Sequence, residues 1–245
     1  MMKRATVLLL IWSPLATAEF QPYLTLHSFT YVEPVSITYV FQNDNNRFEG
    51  GDTALTHNWV ETGVVYNNFG VGIIGRYDYD LKFSEDTAEF YHLTNNKKPL
   101  PEGRTFDLYL NAKHVYSNGV RFSYGYALTS NTDINIGLSY LKGTRLTDGT
   151  IQGRGVVLSE NDYDFQFDVD YFYSEDTLFE RRVDSPQGKG YSVDLSLNWD
   201  ISQKLGLDLN VIDLIGRIYW DNAPFTAAAA NSDVKEYDED GYVIY

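Results

Sequence analysis

Carboxylates spaced two residues apart are the groups in this sequence best placed to do chemistry. Asp78 and Asp80 form one such pair and Asp168 and Asp170 another, and Asp107, Asp194 and Asp208 stand singly among alternating apolar residues. Two-residue spacing puts side chains on one face of a strand. Carboxylates on such a face can raise the local cation concentration or pair with bases beside them. Lys113 and Arg121 supply bases at equivalent positions, and Asn111 and Asn198 supply amides. Together these residues are the candidates for lining a polar interior.

A second constellation is the tetrapeptide Ser-Glu-Asp-Thr, which occurs twice, as Ser84, Glu85, Asp86, Thr87 and as Ser174, Glu175, Asp176, Thr177. The segments around the two copies, 77–87 and 167–177, align, and in each the aspartates alternate with aromatic or aliphatic residues. Self-similarity of this kind suggests a repeated strand–loop–strand unit. On that reading the two loops lie on one side of the molecule as paired acidic lips. Their oxygen atoms suit Ca²⁺, and solvated acidic loops are the competing reading. No metal site is assigned.

Catalysis has little to build on. The histidines are His27, His57, His92 and His114, and there is no cysteine. His114-Val115-Tyr116-Ser117-Asn118-Gly119 is similar to the His-x-Ser-Asn pattern of lipid A deacylases, with one residue too many. That residue matters, because positions three apart on a strand point to opposite faces and cannot act as base and nucleophile. No His-Glu-x-x-His motif and no phosphate-cradling loop is present. The expectation is a protein without catalytic residues or cofactor.

The elements that must carry these groups are strands. Val120, Phe122, Tyr124, Tyr126 and Leu128 alternate with Arg121, Ser123, Gly125, Ala127 and Thr129. The same period of two runs through 106–113, 134–140, 165–173, 193–200 and 205–211. The longest of these, 120–129 and 165–173, reach the ~9–11 residues that a tilted strand needs to cross a bilayer, and the others exceed the ~5–6 of a typical globular strand. Turn residues at 67–70, 117–119, 130–132 and 201–204 predict short connections. Residues 84–103 and 174–189 read as long polar loops, and 142–160 as a loop or as a further hairpin around Thr147-Asp148-Gly149.

Composition narrows the class. Nineteen basic residues stand against 34 acidic ones, which argues against a nucleic-acid partner. Twenty Tyr, fourteen Phe and four Trp favour a setting where rings lie between apolar and wet surroundings. Residues 1–18 have the order of a signal peptide: Lys3 and Arg4, an apolar run over 5–12, then Ala16-Thr17-Ala18. The cut falls before Glu19, leaving 19–245 as one β domain, with 221–245 weakly patterned.

With signal peptide, Tyr-rich alternating strands, short turns and long loops, the chain resembles Gram-negative outer-membrane β-barrel proteins of the porin-like class. The resemblance implies an all-β fold, an antiparallel transmembrane β-barrel of about 10–12 strands, or a part of a larger barrel. It implies outer-membrane lipid as a partner and small solutes or cations as cargo through a carboxylate-rich lumen. A non-transporting barrel acting through acidic loops, and a soluble secreted or periplasmic β domain that binds a ligand, are the alternatives. The C-terminal region departs from the class: residues 227–230 and the acidic run after them read as a loop, which moves the closing strand back to about 212–220.

Overall fold

The computed structural model describes residues 20–33, 48, 50–233 and 235–244; the expected signal peptide lies outside them. Nine strands form one antiparallel sheet: β1 (Phe20–Val32), β2 (Thr53–Tyr66), β3 (Phe69–Phe83), β4 (Thr105–Thr129), β5 (Thr132–Ser159), β6 (Asp162–Tyr173), β7 (Gly188–Ser202), β8 (Leu205–Trp220) and β9 (Phe225–Asn231). A helix, α1 (Glu85–Asn95), follows β3, and a two-residue pair, β10 (Glu236–Tyr237) with β11 (Val243–Ile244), follows the sheet.

The sheet is best described in lanes. β5 pairs with β4 along one edge. Its other edge is shared: residues 132–143 pair with β7, and most of 147–159 with β6. β8 pairs with β7, and β9 pairs with β6. So β6 and β7 occupy one interrupted lane, and β8 and β9 the next. The end carrying the two-residue turns at Asn67-Asn68, Ser130-Asn131 and Gln203-Lys204 is called the lower end here.

A bulge separates the two halves of β5. Tyr116 pairs with Arg145 but Ser117 with Gly143, leaving Thr144 as the extra residue. One inserted residue reverses which side chains face which side. β4 has no such insertion, so its own faces stay continuous from end to end.

The lower half is strongly curled. Arg76 on β3 reaches Asp213 on β8, with Nη1 2.8 Å from Oδ1. Those lanes are four apart, or ~19 Å in a flat sheet at ~4.8 Å per strand, so the contact requires a deep trough. The trough is not closed into a barrel. Among the described residues, β1 pairs only with β2 and β8 only with β7, and those two edge strands run in the same direction.

Alternation sets the two faces of the trough. One row across the outside reads Pro22, Val64, Val71, Phe122, Leu138, Val193, Ile215. The row below it reads Phe20, Tyr66, Phe69, Tyr124, Ile136, Leu195, Val211. Neither row contains a charge, and most of these side chains are exposed, Phe122 at 57% and Leu138 at 53%. Exposed Tyr77, Tyr116, Tyr140, Tyr191 and Tyr219 border the band above, and Tyr126 and Trp199 border it below.

In the upper half the same apolar face is covered. α1 and the segment after it bury Leu100, Phe106 and Val157 against Phe90, Leu93 and Tyr163. The connection between β6 and β7 brings Val183 onto Val169, Tyr171 and Tyr173.

Several sequence expectations are corrected. Residues 84–103 are not a plain loop, because Ser84 caps α1 by accepting from the Thr87 amide, and Glu85 and Asp86 sit in its first turn, where the helix dipole favours them. Residues 142–160 belong mostly to β5 rather than to a loop or hairpin, and Ser117-Asn118-Gly119 runs straight through β4. Residues 227–230 are strand β9, held by the edge of β6. The paired acidic lips do not form: β3 and β6 run in opposite directions, so the backbone of Ser84 bonds to Tyr109 and that of Ser174 to Leu146.

Candidate functional site

The inner face of the lower trough carries one connected set of ion pairs, centred on Arg121. β4 holds this side chain inward, where it is 10% exposed. Its Nε lies 3.0 Å from Asp194 Oδ2 on β7, and its Nη1 3.5 Å from Glu61 Oε1 on β2. The guanidinium also lies over the Trp59 ring, 5.3 Å from its centroid. The Tyr23 hydroxyl on β1 donates to Glu61.

The set continues toward the upper end. The far oxygen of Asp194 accepts from the Asp213 amide at 2.9 Å. The Ser192 hydroxyl stands between the carboxylates of Asp194 and Asp213, and with one proton it donates to one of them at a time. Arg76 forks onto Asp213 and also meets Asp78 at 3.2 Å. Asp78 in turn lies 2.6 Å from His57 Nδ1. The path from Tyr23 to His57 is unbroken and crosses β1, β2, β3, β4, β7 and β8.

Local backbone explains why Asp213 can join. Between Val193 and Leu195 the partner residues on β8 jump from Ile215 to Val211, a bulge with Asp213 at φ 55°. Aspartate tolerates this left-handed conformation better than most residues. The bulge turns a carboxylate inward from an otherwise apolar stretch, Val211-Ile212-Asp213-Leu214-Ile215.

The interior around the network is filled. A Cβ on Gly137 would lie 2.0 Å from Arg121 Nη2, and one on Gly72 would lie 2.6 Å from the Tyr23 hydroxyl. Large side chains therefore lie flat on glycine. Trp59, Ile74 and Leu141 pack with Ile212 and Ile218 above the Glu61–Arg121 pair. A cavity of about 270 Å³ remains beside Arg121, lined partly by His27, Asn135 and Asn210.

Chemically, this is an arrangement for holding strands together. Four carboxylates (Glu61, Asp78, Asp194, Asp213) share two guanidiniums. Removing one partner of such a buried set leaves an uncompensated charge.

Of the predicted lumen residues, the structure brings Arg121 and Asp194 together and ties Asp78 to the same set. The others lie apart. Asp80, Lys113 and Asp148 form a cross-strand row higher on the same face. Asn111 donates to Thr150 Oγ1 at 3.1 Å, and Asp107 lies opposite Arg154. Asp168 and Asp170 border an open cleft of about 500 Å³ with Gln152 and Ala227. Asn198 and Asp208 face each other across β7 and β8 near the lower end, both exposed.

The two Ser-Glu-Asp-Thr copies serve local structure. Asp86 accepts from the Asp107 amide at 2.8 Å and meets Arg104 at 3.1 Å. In the other copy the Asp176 carboxylate is fully buried and accepts from the Tyr171 hydroxyl, the Phe179 amide and Arg181. Burial alone would raise its pKa, but these donors hold it below the usual carboxylate range. The same burial and the Asp176 bond push Tyr171 up to about 12. Among the described residues no three His, Cys, Asp or Glu converge as a metal site. His114 and Ser117 face opposite sides of β4, with His114 against Tyr77 and Ser117 buried inside the trough.

Sequence reasoning did not single out Tyr23, Glu61, Ser192, Asp213 or His57. Glu61 carried a legible signal, since it lies two residues from Trp59 and from Gly63 in an alternating stretch. Asp213 carried only its isolation among aliphatic residues. No helix among the described residues is long and apolar enough to cross a membrane, which says nothing about strands. No family model matches the chain, and no curated protein and no solved structure is significantly similar to it.

Proposed function

We propose that the lower trough is the membrane-embedded wall of an outer-membrane β-barrel protein, sealed inside by its ion pairs and acting through the polar extension above it. The observation that carries this is the uncharged, exposed outer band bordered by tyrosines. Seven adjacent lanes of exposed aliphatic and aromatic side chains are far beyond the apolar patch of a soluble monomer. Water would be a poor solvent for that face, whereas lipid with aromatic borders suits it.

The packed interior favours a non-conducting state over an open pore. A second reading, a conduit for cations or neutral solutes, draws on the polar face above the network, where Asp80, Asp168 and Asp170 are exposed. The membrane reading also carries a requirement. Unpaired strand edges do not persist in hydrocarbon, so the outer edges of β1 and β8 need partners. Because β1 and β8 run the same way, an antiparallel closure takes an odd number of further strands between them.

The test is fractionation followed by gel migration with and without boiling. Recovery in the outer membrane with heat-modifiable mobility is expected. Recovery in the soluble fraction with no mobility shift would discard the membrane reading. Planar-bilayer recordings then separate the two functions: a silent wild-type protein supports the sealed barrel, and steady cation-selective conductance supports the conduit.

A further inference from the structure

The outer face of β3 continues above the apolar band. Beyond Tyr77 and Tyr79 come Leu81 and Phe83, and there α1 bridges over the sheet. The bridge is not fully packed. Between helix and sheet lies a cavity of about 410 Å³, floored by Leu81, Phe83 and Leu110 and roofed by Ala88 and Tyr91. Its size falls within the ~300–1,000 Å³ of small-molecule sites. An apolar cavity of only ~150 Å³ already holds a benzene-sized guest.

Most of its lining is apolar; the polar residues are Thr87 and, further along the helix, His92, Asn95 and Asn96. The His92 ring is stacked on Phe48 at 5.1 Å, and the Asn96 amide donates to the His92 carbonyl at 2.7 Å. Lys98 Nζ lies 3.0 Å from His92 Nε2, so a positive charge stands beside the polar end. A mostly apolar cavity with amides, an imidazole and a cation gathered toward one end of its helix matches the polarity of one molecular class.

We propose that this cavity binds the alkyl chain of a single-chain amphiphile with an acidic head, of the fatty-acid type. The volume admits one chain and not the two of a phospholipid. Its floor residues Leu81, Phe83 and Leu110 lie on the same outer face of β3 and β4 as the exposed aliphatic band, so an amphiphile held at that face is close to the site. This site is additional to the sealed interior and does not depend on it.

The full chain, folded into phosphatidylcholine vesicles, is irradiated with dodecanoic acid bearing a terminal diazirine, and the label is mapped by mass spectrometry. Saturable labelling concentrated on Phe83, Tyr91 and Leu110, displaced by unlabelled dodecanoate, is expected. Ala88→Phe, which fills the cavity, should reduce it about tenfold, while Ala88→Ser keeps it. Leu81→Trp replaces Ala88→Phe if that variant lacks the wild-type circular dichroism. Unsaturable label spread over Ile73 and Leu138, undiminished label in the filled variant, or label obtained only from a diazirine phospholipid would each overturn the proposal. A chain recovered as soluble that still labels saturably would discard the membrane reading and leave this site standing.

Discussion

Strands β4 and β5 pass through two settings within one hairpin. Below the bulge at Thr144 their apolar side chains point outward with nothing over them, as Phe122, Leu138 and Tyr140 show. Above it the same outward face is covered, with Phe106 fully buried beneath α1 and Val157 beside it. The polar faces differ in the opposite sense. Below, Arg121, Glu61 and Asp194 are buried and paired; above, Asp107, Asp168 and Asp170 are open. A protein surrounded by water throughout would cover its apolar face along the whole hairpin. On the membrane reading proposed above, the change at mid-strand is where lipid would give way to water.

The sharpest way to break the comparison is to remove a charge from each half. Arg121→Ala strands Glu61 and Asp194 without a counter-charge, and about 3–5 kcal/mol of stability should be lost, read as urea unfolding of the detergent-folded protein. Arg104→Ala, whose contacts to Asp86 and Glu89 are about one-third exposed, should cost at most about 1 kcal/mol. Equal losses would mean that the two halves are not electrically distinct.

A charge added to the outer face tests the other half of the contrast. Leu138→Lys should cost about 2–4 kcal/mol if that face meets hydrocarbon, measured by the same unfolding in lipid. Leu178→Lys, at an exposed site in the connection between β6 and β7, should change stability by no more than about 0.5 kcal/mol. A silent Leu138→Lys would place the outer band in water.

The smallest effect concerns pH. Asp176 is held below its ordinary range by Tyr171, Phe179 and Arg181. A depressed folded-state value contributes stability above the unfolded carboxylate pKa, and that contribution is lost as pH falls through the folded value. Protection of the Phe179 amide, its intrinsic hydrogen-exchange rate relative to the observed rate at the same pH, should therefore fall as the medium is acidified below the carboxylate range, and Asp176→Asn should abolish that pH dependence. A loss of that protection on raising pH instead would contradict the assignment.

Much of this contrast was legible in sequence, for a physical reason. Alternation is a local property, so the faces of Val120, Phe122 and Tyr124 could be read without knowing any partner. The ion-pair partners could not, because Arg76 and Asp213 are 137 residues apart and meet only through the curl of the sheet. α1 was hidden by its polar composition: of its residues Ala88 is buried, and Phe90 and Leu93 pack only against a strand that comes later in the chain. The turn signals at Ser117-Asn118-Gly119 misled because β3 and β5 pair with both sides of that stretch and keep it extended. The alanine run at 227–230 gave no strand signal, as its pairing comes from the exposed edge of β6.

The shared edge of β5 also favours an order of assembly, from local to distant contacts. The hairpin of β4 and β5 closes at Ser130-Asn131 and zips one residue at a time, the least costly kind of contact for a chain to form. β6 folds back on it through another two-residue turn, again locally. β7 must then skip the intervening connection to find the remaining length of the same edge, and β9, four residues beyond β8, is brought beside β6 once β7 and β8 have docked. The hairpin is thus the template, and the slow step of folding should be the return of the chain at Gly188, where the first long-range pairing on that edge begins.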